Sequence, residues 1–181
     1  MTAEPATSAC RERLARWVNQ HGLAVRGYLR SLTGRPDLAD DLAQEVFQRA
    51  WLARDRYIDR GQERAYLLTI ADRLACDHFR RSFPELSLDM ARDAGEWRTL
   101  EPTAPTFGPL ERLMTAETST RIQEALQMLS PAQRRVLLLR FYGEMSFQEI
   151  ADSIDSPLNT VLSHCRRGLL TLRQLLREDL L

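Results

Sequence analysis

Asn159, Thr160, Ser163, Arg166 and Arg167 recur at spacings that set them on one side of a helix. Hydrogen-bonding and cationic groups in that pattern suit base edges and phosphates of a DNA duplex; a solvated polar face of a helical hairpin is the competing reading. A second group, Arg54, Arg56, Arg60 and Arg64, interleaves with Tyr57 and Tyr66, pairing backbone-binding charge with rings on which unpaired bases can stack. Here the alternative is a solvated arginine loop with Tyr66 in the core. Asp41, Gln44 and Glu45 form an acidic patch that extends past the first turn of its helix, beyond what favouring the helix dipole requires. His21, His78 and His164 fall into no nucleophile–base or metal-ligand pattern, and Cys10, Cys76 and Cys165 form no Cys-x-x-Cys pair. Binding without catalysis, a metal or another cofactor is therefore expected. Cys165 is assigned to an apolar helix face.

Composition narrows the class of binder. The 181 residues are 44% hydrophobic and 28% charged, which suits one or two small globular domains. All 25 basic residues are arginine, balanced by 25 acidic ones. The balance is uneven, at +3 over residues 1–82, −3 over 83–114 and zero over 115–181. A free-standing tight DNA binder needs a stronger basic excess, because phosphate neutralisation supplies most of its affinity. The chain is thus expected to borrow DNA affinity from a partner. No apolar run approaches a bilayer span, and Met1 to Arg13 lacks the apolar stretch of a signal peptide, so a reducing cytoplasm is expected, without membrane insertion.

The elements that must position these groups are helices. Leu14, Trp17, Val18, His21, Val25, Tyr28, Leu29 and Leu32 trace one apolar face, ended by Gly34. Asp37, after Pro36, is placed to cap a second helix that buries Leu38, Leu42, Ala43, Val46, Phe47, Ala50 and Trp51. Tyr66, Leu67, Ile70, Ala71 and Leu74 predict a third, ending in His78, Arg80 and Arg81. Between Phe83 and Pro109 the helical period gives way to four prolines among acidic residues, which reads as a linker. Another amphipathic segment starts near Leu110 and continues through Ile122, Leu126 and Leu129.

The last unit carries helix-start signals residue by residue. Ser130, Pro131 and Gln133 supply an N-cap, a first-turn proline and a capping-box partner, and Gly143 closes that helix. Ser146 with Glu149 forms a second capping box, Met145 with Ile150 its staple, and the short helix Phe147 to Ile154 follows. Ser156 and Pro157 open a third helix, with Leu158, Val161, Cys165, Leu169, Leu172 and Leu176 on its inner side. These signals predict an all-α protein of two small helical domains joined by an acidic linker, with a C-terminal helix-turn-helix.

The segments Ala39-Asp40-Asp41-Leu42-Ala43-Gln44-Glu45-Val46-Phe47 and Arg64-Ala65-Tyr66-Leu67 through Asp77-His78-Phe79-Arg80-Arg81 resemble two consecutive helices of extracytoplasmic-function (ECF) sigma factors of the sigma-70 family. Leu129-Ser130-Pro131-Ala132-Gln133-Arg134, Ser146-Phe147-Gln148-Glu149-Ile150-Ala151 and Asn159-Thr160-Val161 resemble their C-terminal domain. Each motif is moderately specific, and the ordered set, spanning about residues 11 to 177, is strongly so. The stretches Leu67 to Ala71 and Asp77 to Arg81 look most like the iron-uptake branch.

The resemblance implies a tail at 1–10, sigma region 2 at 11–82, a linker at 83–112 and sigma region 4 at 113–181. Asp41, Gln44, Glu45 and Phe47 would bind core RNA polymerase, the polar three meeting the clamp helices of its largest subunit. Arg54, Tyr57, Arg64, Tyr66, Arg73, Arg80 and Arg81 would hold the minus-ten promoter element, and Asn159, Thr160, Ser163, Arg166 and Arg167 the minus-thirty-five element. The acidic linker would thread the polymerase's nucleic-acid channels. Implied partners are bacterial core polymerase, promoter DNA and an anti-sigma factor, including a membrane-bound one. Arg73 stands where the family commonly has Asn, and Leu162 and His164 where it often has Lys and Arg. Two other classes stay open at this point, a helix-turn-helix regulator acting without polymerase and a sigma-like decoy for an anti-sigma factor.

Overall fold

Three amphipathic periods in the N-terminal half become three helices that bury their stripes against one another: α1 (Glu4–Thr33), α2 (Pro36–Leu52) and α3 (Glu63–Ser82). The structure, a computed structural model, describes residues 4–58, 61–82 and 116–178, with side chains at 11–58, 61–82 and 121–176. The expected linker and Arg60 lie outside the described residues, as do the side chains of the expected tail, that of Cys10 included. Trp17, Val25, Leu29 and Leu32 of α1 meet Ala39, Leu42, Ala43, Val46 and Ala50 of α2 and Leu67, Leu68, Ala71, Leu74 and Ala75 of α3 in the core. Each fully buried Val or Leu in it contributes about 1.5–3 kcal/mol relative to exposure.

Gly34 ends α1 at φ +67°, a left-handed conformation disfavoured for residues with a β-carbon, and its N–H donates to Arg30 O at 2.9 Å. The start of α2 differs from expectation. Arg35 occupies the N-cap position, Pro36 the first turn, and no side chain caps the helix. Proline's fixed φ and missing N–H suit the first helical position, which moves Asp37 inside the first turn, where it interacts with the dipole and does not cap.

In the C-terminal half α4 (Ala116–Gln127), α5 (Pro131–Tyr142), α6 (Phe147–Ile154) and α7 (Leu158–Glu178) follow. No strand occurs among the described residues. Ser146 and Glu149 form a complete capping box, Glu149 accepting the Ser146 N–H at 2.7 Å while Ser146 Oγ accepts the Glu149 N–H at 3.2 Å. Met145 and Ile150, the expected staple pair, are both buried. At α5 only half of the expected box forms: Ser130 Oγ accepts the Gln133 N–H at 3.4 Å, and no bond returns from the Gln133 side chain. The cap of α7 falls one residue beyond Ser156. Asp155 turns left-handed at φ 53° and directs the Ser156 N–H back to Ala151 O at 3.0 Å, so Pro157 O receives the first bonds of α7 from Thr160 and Val161.

The helices α5 and α7 cross closely at Gly168, where a β-carbon would lie 2.8 Å from Leu137 Cδ1. The two halves are not independent bodies. One continuous core cluster runs through both, with α1 against α4 and α5, and α3 touching α5.

Ser146→Ala removes the hydroxyl that holds the first turn of α6. Loss of about 1 kcal/mol of stability is expected, read as a lower midpoint in urea unfolding, while an unchanged midpoint would show the box to be energetically idle.

Candidate nucleic-acid and polymerase surfaces

On α3 the helical spacing places Tyr66, Arg73 and Arg80 in one row, with Arg81 beside it. Arg73, Arg80 and Arg81 are exposed, Arg80 lying 3.6 Å from Asp77. Tyr66 is half-buried in an aromatic cluster. Its centroid lies 4.8 Å from that of Tyr57 and 5.9 Å from that of Trp17, and the Tyr57 ring stands edge-on to Trp17 at 4.8 Å. Trp17, at 1% exposure, is the buried floor on which the two tyrosines rest. The guanidinium of Arg13 lies over both Trp17 and Tyr57, at 5.6 and 5.8 Å. Tyr57 and Tyr66 are thus core and surface at once, each with its ring packed inward and part of it lining an open groove of about 650 Å³.

Arg54 and Arg64 are partly engaged with the protein itself. The Arg54 guanidinium sits 4.5 Å from the Trp51 ring centroid and donates to Trp51 O at 3.0 Å. Arg64 reaches into the C-terminal half, donating to Tyr142 O and pairing with Glu144 at 2.9 Å. Both therefore leave the open row formed by Arg73, Arg80 and Arg81.

On α2, Asp41 and Gln44 are exposed and Glu45 is half-exposed, pairing with Arg49 at 2.6 Å. Asp40 is held 2.9 Å from Arg26 of α1. Asp41 makes no ion pair among the described residues. Phe47 points elsewhere, half-buried against the core, away from the acidic patch. On α7, Asn159 and Arg166 are exposed and Thr160, Ser163 and Arg167 half-exposed on one side, with the Ser163 hydroxyl turned to Asn159 O at 2.8 Å. Val161 and Cys165 are buried on the other, the assignment expected for Cys165. Leu158 departs from its expected inner position because the first residue of the helix protrudes past the core, at 38% exposure. His164 is also buried, so this position, where the family often has a basic residue, lies off the outer face of α7.

The sequence reading missed Asp72 and Arg135. Asp72 is 1% exposed; its Oδ1 accepts the Tyr28 hydroxyl at 2.7 Å and the Arg135 Nε–H at 2.7 Å, while its Oδ2 pairs with Arg135 Nη2. Burial and the Asp72 charge raise the Tyr28 hydroxyl well above its ordinary pKa, and the same two causes push the Cys76 thiol to about 11. Burial opposes the Arg135 charge, yet its bonds to Asp72 outweigh that and raise its pKa. A signal was available: Leu68, Asp72, Ala75 and Phe79 form one helical row, an acid among apolar residues.

Two family models match the chain, Sigma-70 region 2 over residues 17–82 and Sigma-70, region 4 over 119–172. The ECF RNA polymerase sigma factor SigW of Bacillus subtilis is 30% identical over 149 residues, covering 81% of this chain and 80% of the relative. The chain belongs to the ECF sigma factors. SigX of the same organism, another of them, is 31% identical over 145 residues, covering 78% of this chain and 74% of SigX. Two solved structures share the fold at 23% identity. The sigma factor RpoE in complex with the anti-sigma factor NepR from Bartonella quintana has a TM-score of 0.67 over 93% of this chain and 99% of that one. CnrH in complex with the cytosolic domain of CnrY has 0.63 over 96% of each. The function of the ECF sigma factor described here is accordingly to direct RNA polymerase to promoters in transcription initiation, with promoter DNA as its second partner.

In this sigma factor the tyrosines and the arginines of α3 separate experimentally. Tyr66→Ala, which opens the stack on Trp17, is expected to cost about 1–3 kcal/mol, whereas Arg73→Ala and Arg80→Ala should stay within about 0.5 kcal/mol of wild type. Urea unfolding of the three variants checks this, and equal stabilities would remove Tyr66 from the core.

Proposed function

We propose that the α3 row and the adjoining loop bind the minus-ten element, that the outer face of α7 binds the minus-thirty-five element, and that the exposed side of α2 docks on core polymerase. The observation that carries this reading is the placement of two unlike cationic or polar faces on separate halves, each within its own sigma-region match. Arg73, Arg80 and Arg81 bind the backbone of the opened strand, while Tyr57 and Tyr66 offer ring surface along the groove to its bases. Asn159, Thr160 and Ser163 reach base edges in the major groove, and Arg166 and Arg167 hold flanking phosphates. Asp41, Gln44 and Glu45 form the polymerase patch; Phe47 supports it from within the core. Region 2 spans 11–82 and region 4 spans 113–181, joined by the acidic linker.

The chain has no catalytic step of its own; phosphoryl transfer belongs to polymerase. An anti-sigma factor is the expected regulator, since both structural neighbours were solved with one or with the cytosolic domain of a binding partner. A cytoplasmic location follows from the polymerase it serves, and no described helix is long and apolar enough to cross a membrane. The iron-uptake likeness rests partly on Leu67, Leu68 and Ala71, which are buried and report helix packing, so its support comes from the exposed end of α3.

Run-off transcription with purified core, with and without this chain, on a library of upstream fragments tests the reading. Chain-dependent transcripts starting downstream of a shared pair of motifs are expected, and specific DNA binding without core would overturn it in favour of a free-standing regulator.

Two variants resolve the surfaces. Asp41→Ala combined with Glu45→Ala is expected to weaken core binding in a competition assay with no loss of helicity. Arg166→Ala should flatten the log–log salt dependence of holoenzyme binding by about 0.9; a wild-type slope and affinity would remove α7's outer face from DNA.

A further inference from the structure

A recognition helix meets base edges with its N-terminal turns, and those turns of α7 carry two leucines that the core does not take. Leu158 is exposed and Leu162 half-exposed, whereas Leu169 and Leu172, further along the same helix, pack against the core. Leu158 and Leu162 stand one turn apart, and Leu162 follows Asn159 by three residues and precedes Arg166 by four. The two side chains therefore form an apolar strip along the edge of the polar face. A single exposed leucine needs no explanation; a pair at this spacing, beside groups placed to read bases, does. The basic residues of the helix narrow what the strip can read. Residues 158–165 contain no arginine and no lysine, and charge begins at Arg166 and Arg167. The forked guanidinium contact to guanine O6 and N7, the commonest specific contact in the major groove, is thus not available to these turns. Asn159 matches the N6 and N7 groups of adenine, and an aliphatic side chain matches the 5-methyl of thymine, the apolar group of that groove. Both preferences fall on A·T pairs.

We propose that Leu158 and Leu162 read thymine in the minus-thirty-five element: their methyl groups pack on the 5-methyls of thymines beside the adenine taken by Asn159, while Arg166 and Arg167 hold the flanking phosphates. The proposal rests on the assignment of this face to that element given above and adds the bases it selects. Each contact takes a methyl out of water, which is worth about fourfold in affinity. The two leucines thereby act as specificity-determining residues, and they leave the salt dependence of binding to the arginines.

The test uses holoenzyme assembled from core and the full chain, with a promoter that it transcribes. Each thymine of the upstream element is replaced in turn by deoxyuridine, which keeps every hydrogen-bonding group and removes only the methyl. Wild-type holoenzyme is expected to bind about fourfold more weakly at one or two of the substituted positions. In Leu162→Ala the penalty is expected to vanish at one position, and in Leu158→Ala at a neighbouring one. Leu162→Met, which retains aliphatic reach, should keep the penalty, and Arg166→Ala should weaken binding to every duplex while leaving the penalties in place. A folding defect would also weaken all duplexes alike, so it does not imitate the loss of one thymine's penalty. The absence of any penalty in the wild type, or penalties that survive undiminished in both alanine variants, overturns the proposal. Failure of wild-type holoenzyme to protect any upstream duplex from nuclease would instead overturn the assignment of α7 on which it rests.

Discussion

The carboxylate of Asp72, enclosed between Tyr28 and Arg135, sets the arrangement on which the rest of the molecule depends. It is charged, 1% exposed and partnered from both halves, so the halves have few ways to pack that leave it satisfied. Apolar contact between α1 and α5 supplies attraction without direction; the Asp72–Arg135 pair supplies the direction. The consequences run outward from it. Tyr142 is laid against Gly27, Arg134 against the end of α1, and the helix-turn-helix is brought beside the groove that contains Tyr57 and Tyr66.

A chain with arginine as its sole basic residue assigns that residue two kinds of work. Arg134 and Arg135 use the planar, forked guanidinium to satisfy several acceptors at once, Arg134 reaching Leu32, Leu126, Gln127 and Leu129. Arg54 lies against an aromatic ring, and Arg64 crosses between the halves. Arg73, Arg80, Arg81 and Arg166 are left exposed. With so many cations consumed by structure and a formal net charge of zero, DNA affinity is expected to emerge in the assembly with polymerase.

Local chemistry was legible from the sequence and long-range chemistry was not. The Ser146–Glu149 box, the Gly34 terminus and the bounds of α6 each follow from a few adjacent residues, and the structure has all three. The errors at Asp37 and Ser156 are displacements of one or two residues, produced where a proline and a left-handed Asp155 compete with side-chain capping. Docking of the halves escaped because it depends on pairs such as Asp72 and Arg135, which no periodicity connects. One trace of it was present: Val136 to Leu139 with Phe141 and Tyr142 make α5 apolar on more sides than a helix covering one core requires, and the surplus faces α1. Among the site residues, the acidic patch and the outer face of α7 are largely exposed; the inward packing of Phe47 and Tyr66 is written in the apolar periods of their helices, whereas that of Tyr57 depends on Trp17 and the bundle core, beyond the reach of local pattern.

The central claim is that the two halves engage separate promoter elements together, in the polymerase-bound chain. Tethered chemical cleavage tests it most directly: a DNA-cleaving reagent is attached at Ser82, beside the α3 row, or at Ser163, on the face of α7, in a chain whose own cysteines are replaced. With core and promoter present, cleavage is predicted in two distinct windows, the Ser82 probe cutting at the minus-ten element and the Ser163 probe at the minus-thirty-five element. Both probes cutting one window, or cutting equally well without core, would contradict the account.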